Sequence, residues 1–512
     1  MKYVTLHSSL FDLGHFLIHF HRINIWGEWW RAFLGHAQPY LLLYSWFYSL
    51  WPPSIAPQAV LVVQALWLTI PVYWLRQRYG WIVAMAYLLY FPLWYNGLFD
   101  FHIDHLAVPL LIGFFLFAEV GRLGTAAVVA TALMLVKEPF ALQTVACGVY
   151  LIGQGFFREN GSCSSSCYAD LTGEEKREVQ LLRTKRAFFY GSILIVVGCG
   201  YFFAMTRWVL PAFLGGAPGV FDSEAFSWLG AGTEEMIWHL ITNPLSIMIE
   251  IVTTPGKLIY LLVLFGALGF IPLLRPGPLL VAIPIVAISL LSRLPNYYGI
   301  GHHYTAGLLA PMIFAFIGGL PRARKISEKM RLPSKWFVPM LITGLLAVHI
   351  ALAPSPIGRL FWSSKIWSYH FEAYLPTARS AMIKNAIREN IPLGSAAIAV
   401  QNTLNWAPLA ERYDYFVFPE GVTNHVIRPT ELSGTSWPLV VEWRPILADY
   451  VLLDSKRPWF LFDQGCEWVY GECSNQAAAT EYLEWVTRVR QLMEVIFEED
   501  GFVILHRRQV SK

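Results

Sequence analysis

Long apolar runs separated by short polar segments dominate the first 354 residues of the chain. About 20 apolar residues in a helix are enough to cross the hydrocarbon core of a bilayer. The aromatic run 39–51 has only thirteen residues, and it indicates a helix lying at the membrane interface. The longer runs predict spans near 55–75, 81–95, 106–120, 125–136, 139–157, 187–210, 257–274, 278–292, 304–320 and 336–354.

One pair of these runs is interrupted by charge. The limbs 125–136 and 139–157 are short for full crossings, and they meet at Lys137 and Glu138. We therefore expect these two residues to lie at the outer end of a bent helix pair.

The pattern changes from about residue 369, where helical and strand-like periods alternate. Amphipathic helices are predicted at 377–390 and 476–497. Short strands are predicted at 396–400, 415–418, 450–453 and 501–506. The expected fold is mostly α: a polytopic transmembrane helix bundle over 1–354, followed by a small α/β extracytoplasmic domain over 355–512.

Composition excludes a soluble protein. Hydrophobic residues make up 55% of the 512 residues and charged residues only 14%, whereas a soluble domain carries roughly 25% charged residues. The net charge of +3 says little about partners. We expect membrane lipid around the chain and no nucleic acid.

The distribution of basic residues predicts the orientation. The loops 158–186 and 321–335 each carry six Lys or Arg residues, whereas 96–105 and 211–256 carry none. By the positive-inside rule the first two are cytoplasmic and the last two are external. A multi-pass protein of the cell (inner) membrane is expected, with residues from 355 onward outside. Cys466 and Cys473 could then close a short loop by oxidation.

Asp12, near the N-terminus, is a candidate general base. It falls in the first external segment, where a carboxylate could accept a proton from an acceptor hydroxyl. The alternative is a helix cap or a solvated loop carboxylate.

Residues 96–105 pack two carboxylates and two imidazoles between apolar runs. Asp100, His102 and Asp104 alternate, so an extended segment would point all three to one face. They could hold a divalent cation such as Mg²⁺ or Mn²⁺. They could equally contact a polar substrate, or cap the next helix.

Lys137 is a candidate partner for a phosphate, with Glu138 orienting it. An internal ion pair that only permits the bend is the alternative. The histidines His36, His105, His302 and His303 also fall on the predicted outer side. Each is a candidate substrate contact, although a lone interfacial histidine more often has a structural role.

In their order along the chain, five short motifs resemble the DUF2079 family of polytopic membrane proteins. The motifs are Phe-Asp-Leu-Gly at 11–14, Gly-His-Ala-Gln-Pro-Tyr at 35–40, Phe-Asp-Phe-His at 99–102, Leu-Ala-Val-Pro at 106–109 and Lys-Glu-Pro at 137–139. Residues 448–454 also look like the C-terminal region of that family. The resemblance implies a transmembrane helix before the first motif, and here only eleven residues precede Asp12.

The DUF2079 family is similar in layout to the GT-C glycosyltransferases, which use polyprenyl-phosphate sugars at the outer membrane face. This likeness implies a lipid-linked sugar donor and an acidic catalytic residue in the first external loop, which matches Asp12. The expected function is therefore sugar transfer from such a donor. Two alternatives stay open: a transporter or flippase that binds its cargo with the same charges, and a non-catalytic membrane scaffold.

Overall fold

The protein is described here from a computed structural model. It covers residues 2–157, 173–213, 225–230, 232–363, 369–392, 397–404, 415–418, 422, 424–426, 440–442, 448–456, 468–469, 472–473 and 476–508. Cys466 and part of the basic loop 158–186 lie outside these ranges. The expected disulfide and part of the predicted cytoplasmic loop therefore lie outside the described residues.

The described α-helices, in chain order, are α1 (His15–Trp26), α2 (Tyr40–Ser49), α3 (Ala56–Tyr79), α4 (Trp81–Leu89), α5 (Pro92–Leu98), α6 (Ala107–Glu119), α7 (Leu123–Leu133), α8 (Pro139–Phe157), α9 (Gly173–Ala204), α10 (Leu210–Phe213), α11 (Thr233–Thr242), α12 (Pro244–Thr253), α13 (Pro255–Gly266), α14 (Ile283–Leu291), α15 (Pro295–Tyr298), α16 (Ala306–Lys329), α17 (Ser334–Leu352), α18 (Ala378–Asn390) and α19 (Gln476–Leu492).

Several helices are long and apolar enough to cross a membrane. Among the described residues, four stretches meet this condition: Ala56–Tyr79, Gln180–Phe213, His303–Lys329 and Ser334–Leu352. The α11–α12 pair, bent by 88°, could form a fifth crossing. The expectation of a multi-pass membrane protein is thus supported. Ten spans were expected, whereas four or five described stretches have the length and composition to cross a membrane.

Prolines and irregular backbone explain why some predicted spans are shorter. The run 81–95 is divided into α4, which ends at Leu89, and α5, which begins at Pro92. Proline has no N–H with which to continue the preceding helix, and the nine residues of α4 rise only about 14 Å. The run 257–274 is likewise interrupted, because α13 ends at Gly266 and Phe270 adopts a left-handed φ of 56°.

Helices α7 and α8 enclose the turn that carries Lys137 and Glu138, at the break expected from the sequence. Helix α8 is fixed against α9 by facing glycines. A Cβ added at Gly148 would lie 2.5 Å from the Gly191 carbonyl oxygen. A side chain at this position would clash, so the small glycine allows α8 and α9 to pack closely along the middle of α8.

The C-terminal region is an α/β unit with a five-stranded sheet. The described strands are β1 (Ile398–Val400), β2 (Tyr415–Val417), β3 (Asn424–Val426), β4 (Val440–Glu442), β5 (Tyr450–Asp454), β6 (Trp468–Val469), β7 (Glu472–Cys473), β8 (Met493–Glu499) and β9 (Phe502–Arg507). The sheet order is β2-β1-β5-β9-β8. Strand β1 is parallel to β2 and β5, whereas β9 is antiparallel to both of its neighbours.

The elements predicted for this region are present, with one error. Helix α18 begins after Thr377, whose side chain accepts the Ser380 N–H in a capping box. The predicted helix 476–497 is wrong at its end, because α19 stops at Leu492 and residues 493–499 form β8. Antiparallel pairing with β9 outweighs the helical periodicity of this segment.

Candidate functional site

Asp12 lies in a short helical turn between the N-terminal segment and α1. Ser9 precedes this turn, and its side chain accepts the Asp12 N–H with an N–O distance of 3.3 Å. The Asp12 Oδ1 atom lies 3.4 Å from Nε2 of His102. Their side chains are only 12% and 13% exposed, so two groups 90 positions apart in the sequence meet in a largely buried place.

Asp100 is attached to the same segment. Its Oδ2 atom accepts the Ser9 N–H at 2.5 Å. Helix α3 supports the backbone here, since Gln64 donates to the Asp100 carbonyl oxygen at 2.9 Å and accepts the His102 N–H at 3.1 Å. Ser9 therefore touches both carboxylates, while Gln64 fixes the strand-like stretch that carries Asp100 and His102.

Burial sets the protonation of this cluster. Removal from water raises the pKa of Asp12 to about 6, against smaller lowering effects of the Ser9 hydrogen bond and the Lys2 charge. Burial raises the pKa of Asp100 to about 7, with Lys2 opposing the shift and Asp12 adding to it. Burial also lowers the pKa of His102 well below its usual value. His102 is therefore a neutral imidazole beside a carboxyl that titrates near neutrality.

Several polar atoms next to this pair have no partner. The His102 ring stacks on His303 with a centroid separation of 3.5 Å. Within the described chain, His102 Nδ1, Asp104 Oδ2 and both ring nitrogens of His303 are buried without a hydrogen bond. Such atoms usually have partners, so these four atoms are candidates for contact with a polar ligand.

Lys137 adds a positive charge to this group. The residue is 8% exposed, and its charge lowers the pKa of His102 further, after burial and His303. Its charge also acts on the neighbouring Glu138 carboxylate, after the larger effects of His36 on that group. Within the ranges that the structure covers, no hydrogen bond or salt bridge engages the Lys137 ammonium group directly, so it is a candidate contact for an anion.

Comparison with known protein families assigns most of the chain to one of them. The model of DUF2079, a family of predicted membrane proteins, matches residues 3–433. The chain belongs to the DUF2079 family. No curated protein and no solved structure matches it. The matched part of this DUF2079 protein contains every candidate site residue named from the sequence.

Glu138 and His36 of this DUF2079 protein form a contact of their own. His36 Nδ1 lies 2.6 Å from Glu138 Oε1, and the Ala37 N–H donates to Glu138 Oε2 at 3.0 Å. Glu138 therefore ties the segment before α2 to the α7–α8 turn. Its hydrogen bonds are made to His36 and the Ala37 N–H, and the Lys137 charge also acts on its carboxylate. An orienting role of Glu138 toward Lys137 stays a prediction.

His105 is also engaged by the protein. Its Nε2 atom lies 2.7 Å from the Tyr44 hydroxyl oxygen, and its Nδ1 atom contacts the His102 carbonyl oxygen. Burial lowers the pKa of His105 to about 4. With both nitrogens satisfied, His105 supports the geometry of the 100–105 segment.

The three residues expected to bind a cation do not converge. Residues 103–106 form a 3₁₀ helix, so the extended alternation does not reach Asp104. Asp100 is directed to Ser9, and His102 to Asp12. In the described ranges no group of three or more His, Cys, Asp or Glu side chains could hold a metal ion. A divalent cation at Asp100, His102 and Asp104 stays a prediction.

Some residues of the site have no strong signal in the sequence of this DUF2079 protein. Lys2 donates to the Leu98 carbonyl oxygen at 2.9 Å and places its charge near both aspartates. Gln64 lies inside an apolar run, where the only signal is a polar residue in a spanning helix. His303 was one of several outer-side histidines, and its stacking on His102 depends on tertiary contact.

Proposed function

We propose that this protein is a membrane glycosyltransferase that moves a sugar from a polyprenyl-phosphate-linked donor to an acceptor hydroxyl on the external face. One observation carries the proposal. Asp12 lies 3.4 Å from His102, and the charge of Lys137 acts on the same His102, although the sequence separates these residues by up to 125 positions. A base and a cation that both act on one imidazole suit transfer from a phosphate leaving group.

Asp12 supplies the base. With a pKa of about 6, its carboxyl is mostly ionised at neutral pH. The pKa is also close enough to the working pH for the carboxylate to accept a proton efficiently. The acceptor hydroxyl gives its proton to Asp12 as its oxygen bonds to the anomeric carbon of the sugar. The bond from that carbon to the phosphate oxygen breaks, and its electron pair leaves with the polyprenyl phosphate.

Lys137 supplies the positive charge for the leaving group. As the bond to phosphate breaks, negative charge grows on the phosphate oxygens, and a fixed cation in a water-poor site stabilises it. The unpartnered nitrogens of His303 and His102 offer hydrogen bonds to the phosphate or the sugar. Asp100, which is bound to Ser9, contacts the acceptor side near Asp12.

The experiment is a donor-turnover assay in membranes that contain the full chain. A panel of labelled undecaprenyl-phosphate hexoses and pentoses is supplied, and release of undecaprenyl phosphate is measured. Turnover by the wild type is expected to exceed that of Asp12→Asn by about 100-fold or more. Glu250→Gln is the matched control, because it neutralises a carboxylate in a separate ion pair.

The outcomes separate the three functions. A glycosyltransferase consumes donor and depends on Asp12. A flippase moves labelled lipid between leaflets without breaking the sugar–phosphate bond, and a scaffold does neither. Equal donor turnover by Asp12→Asn and wild type would overturn the proposed role of Asp12.

A further inference from the structure

The N-terminal segment is shared between the two parts of the molecule. Leu6 and Leu10 are 1% and 0% exposed and pack in one core with Ile398, Val400 and Leu452 of the C-terminal sheet. A few residues later the same segment enters the turn that carries Asp12. The chain's first residues thus complete the core of its last domain.

This contact is made at a particular edge of the sheet. Strand β1 lies between β2 and β5, and both pairs are parallel. In parallel sheets the crevice at the carboxyl ends of the strands, where the connections diverge to two sides, is the usual place for binding. Here the residues that directly follow β1 contact the chain's own N-terminal segment, and Asn402, 2% exposed, is among them.

Asn402 holds this segment through two hydrogen bonds. Its carbonyl oxygen accepts the Leu10 N–H at 2.8 Å, and its Oδ1 atom accepts the Ser9 hydroxyl at 3.0 Å. Ser9 in turn accepts the Asp12 N–H and donates its own N–H to Asp100. A continuous set of contacts therefore runs from the end of β1 to both aspartates.

We infer that Asn402 is a positioning residue, through which the C-terminal domain fixes Ser9 and hence the placement of Asp12 and Asp100. This inference rests on the proposed function for its catalytic meaning, but its structural content can be tested without a substrate. The C-terminal domain is then part of the site. Through this contact it provides a backbone carbonyl and an amide oxygen of Asn402, which are uncharged.

The test is hydrogen–deuterium exchange of the full chain in lipid nanodiscs. Asn402→Ala removes the acceptor of the Ser9 hydroxyl, and amides in residues 6–14 should exchange about fivefold faster, as expected for the loss of one neutral hydrogen bond. Asn402→Asp keeps an oxygen at that position and should restore slow exchange. Asn390→Ala is the matched control, since Asn390 bonds only within α18 in the described structure.

Strands β1 and β5 separate positioning from general unfolding. Wild-type exchange in these strands together with faster exchange in 6–14 supports the inference. Unchanged exchange in 6–14, or an equal increase in the strands, overturns it.

A second readout concerns the ionisation of Asp12. In Asn402→Ala the inflection of donor turnover with pH should move from about 6 toward the ordinary carboxyl value, because a released Asp12 regains water. A wild-type inflection in this variant would overturn the inference. If the wild type turns over no donor, the proposed function fails, while the exchange experiment still decides whether Asn402 positions the segment.

Discussion

Two charged groups in this protein differ in how completely their members are paired. The first, called the Asp12 group, comprises Asp12, Asp100, His102, Asp104, Lys137 and His303. The second, the Glu250 group, comprises Glu250, Lys257 and Arg293. Glu250 lies 3.2 Å from the Lys257 ammonium nitrogen and 3.7 Å from Arg293 Nη2.

The Glu250 group also satisfies its cations with aromatic rings. Lys257 lies 5.7 Å from the centre of the Tyr298 ring, and Arg293 lies 5.0 Å from that of Trp228, distances typical of cation–π contacts. Within the described residues, the Asp12 group instead leaves four buried polar atoms without a hydrogen bond: His102 Nδ1, Asp104 Oδ2 and both ring nitrogens of His303. A closed set of partners indicates a structural role, whereas open partners indicate a place for a ligand. The following changes should separate the two groups.

The largest effect is expected from Asp12→Asn. The variant keeps the size of the side chain and removes the base, so donor turnover should fall by about 100-fold or more. The measurement is release of undecaprenyl phosphate at saturating donor. Glu250→Gln should retain turnover within about twofold; similar losses in both variants would erase the distinction between the groups.

A smaller effect is expected from Lys137→Met. Loss of a charged contact to phosphate should lower kcat/KM for the lipid donor by roughly 30-fold. Lys137→Arg retains the charge and should recover part of the activity. If Lys137→Met turned over donor as the wild type does, the leaving group would have to be stabilised elsewhere.

The pH profile tests the ionisation of the Asp12 group. Because burial raises the pKa of Asp12 to about 6, the carboxylate base is present above that pH and is lost as the pH falls. Donor turnover should therefore decrease about tenfold between pH 7 and pH 5. A rate that stays level down to pH 4.5 would mean that no base with a raised pKa limits the reaction.

The smallest effect on turnover, but a clear effect on stability, is expected in the Glu250 group. Glu250→Ala leaves Lys257, whose side chain is 0% exposed, without its carboxylate. The cost should be about 2 kcal/mol, less than for a fully buried pair because Glu250 stays partly exposed. Thermal unfolding in nanodiscs should show a lower Tm for Glu250→Ala and a wild-type Tm for Asp12→Asn.

Sequence patterns predicted local elements better than they predicted contacts. The helix that follows Thr377 and the strands β1, β5 and β9 follow from periodicity and turn residues. The segment 493–499 was predicted as helix because its pairing with β9 is a tertiary contact that no local pattern contains. The sequence shows Pro92 inside the run 81–95. Whether this proline bends the helix or ends it depends on the packing around it, which no local pattern contains.

The same limit applies to the site. Charged residues among apolar runs identified Asp12, Asp100, His102 and Lys137, because such residues are rare in membrane proteins. The approach of Asp12 to His102, the stacking of His303 on His102 and the hydrogen bond that the Ser9 hydroxyl donates to Asn402 join distant parts of the chain. Single-sequence reasoning finds these residue types, but folding decides which of them meet.

The most direct test of the central claim is a cryo-EM structure of the full chain in nanodiscs with farnesyl phosphate bound. The claim is that the Asp12 group is one open site that receives a lipid-linked phosphate. We predict phosphate density within hydrogen-bonding distance of Lys137 Nζ, on the side of His303, with Asp12 facing the remaining space. Phosphate bound at the Glu250 group, or a Lys137 ammonium remote from the phosphate, would contradict it.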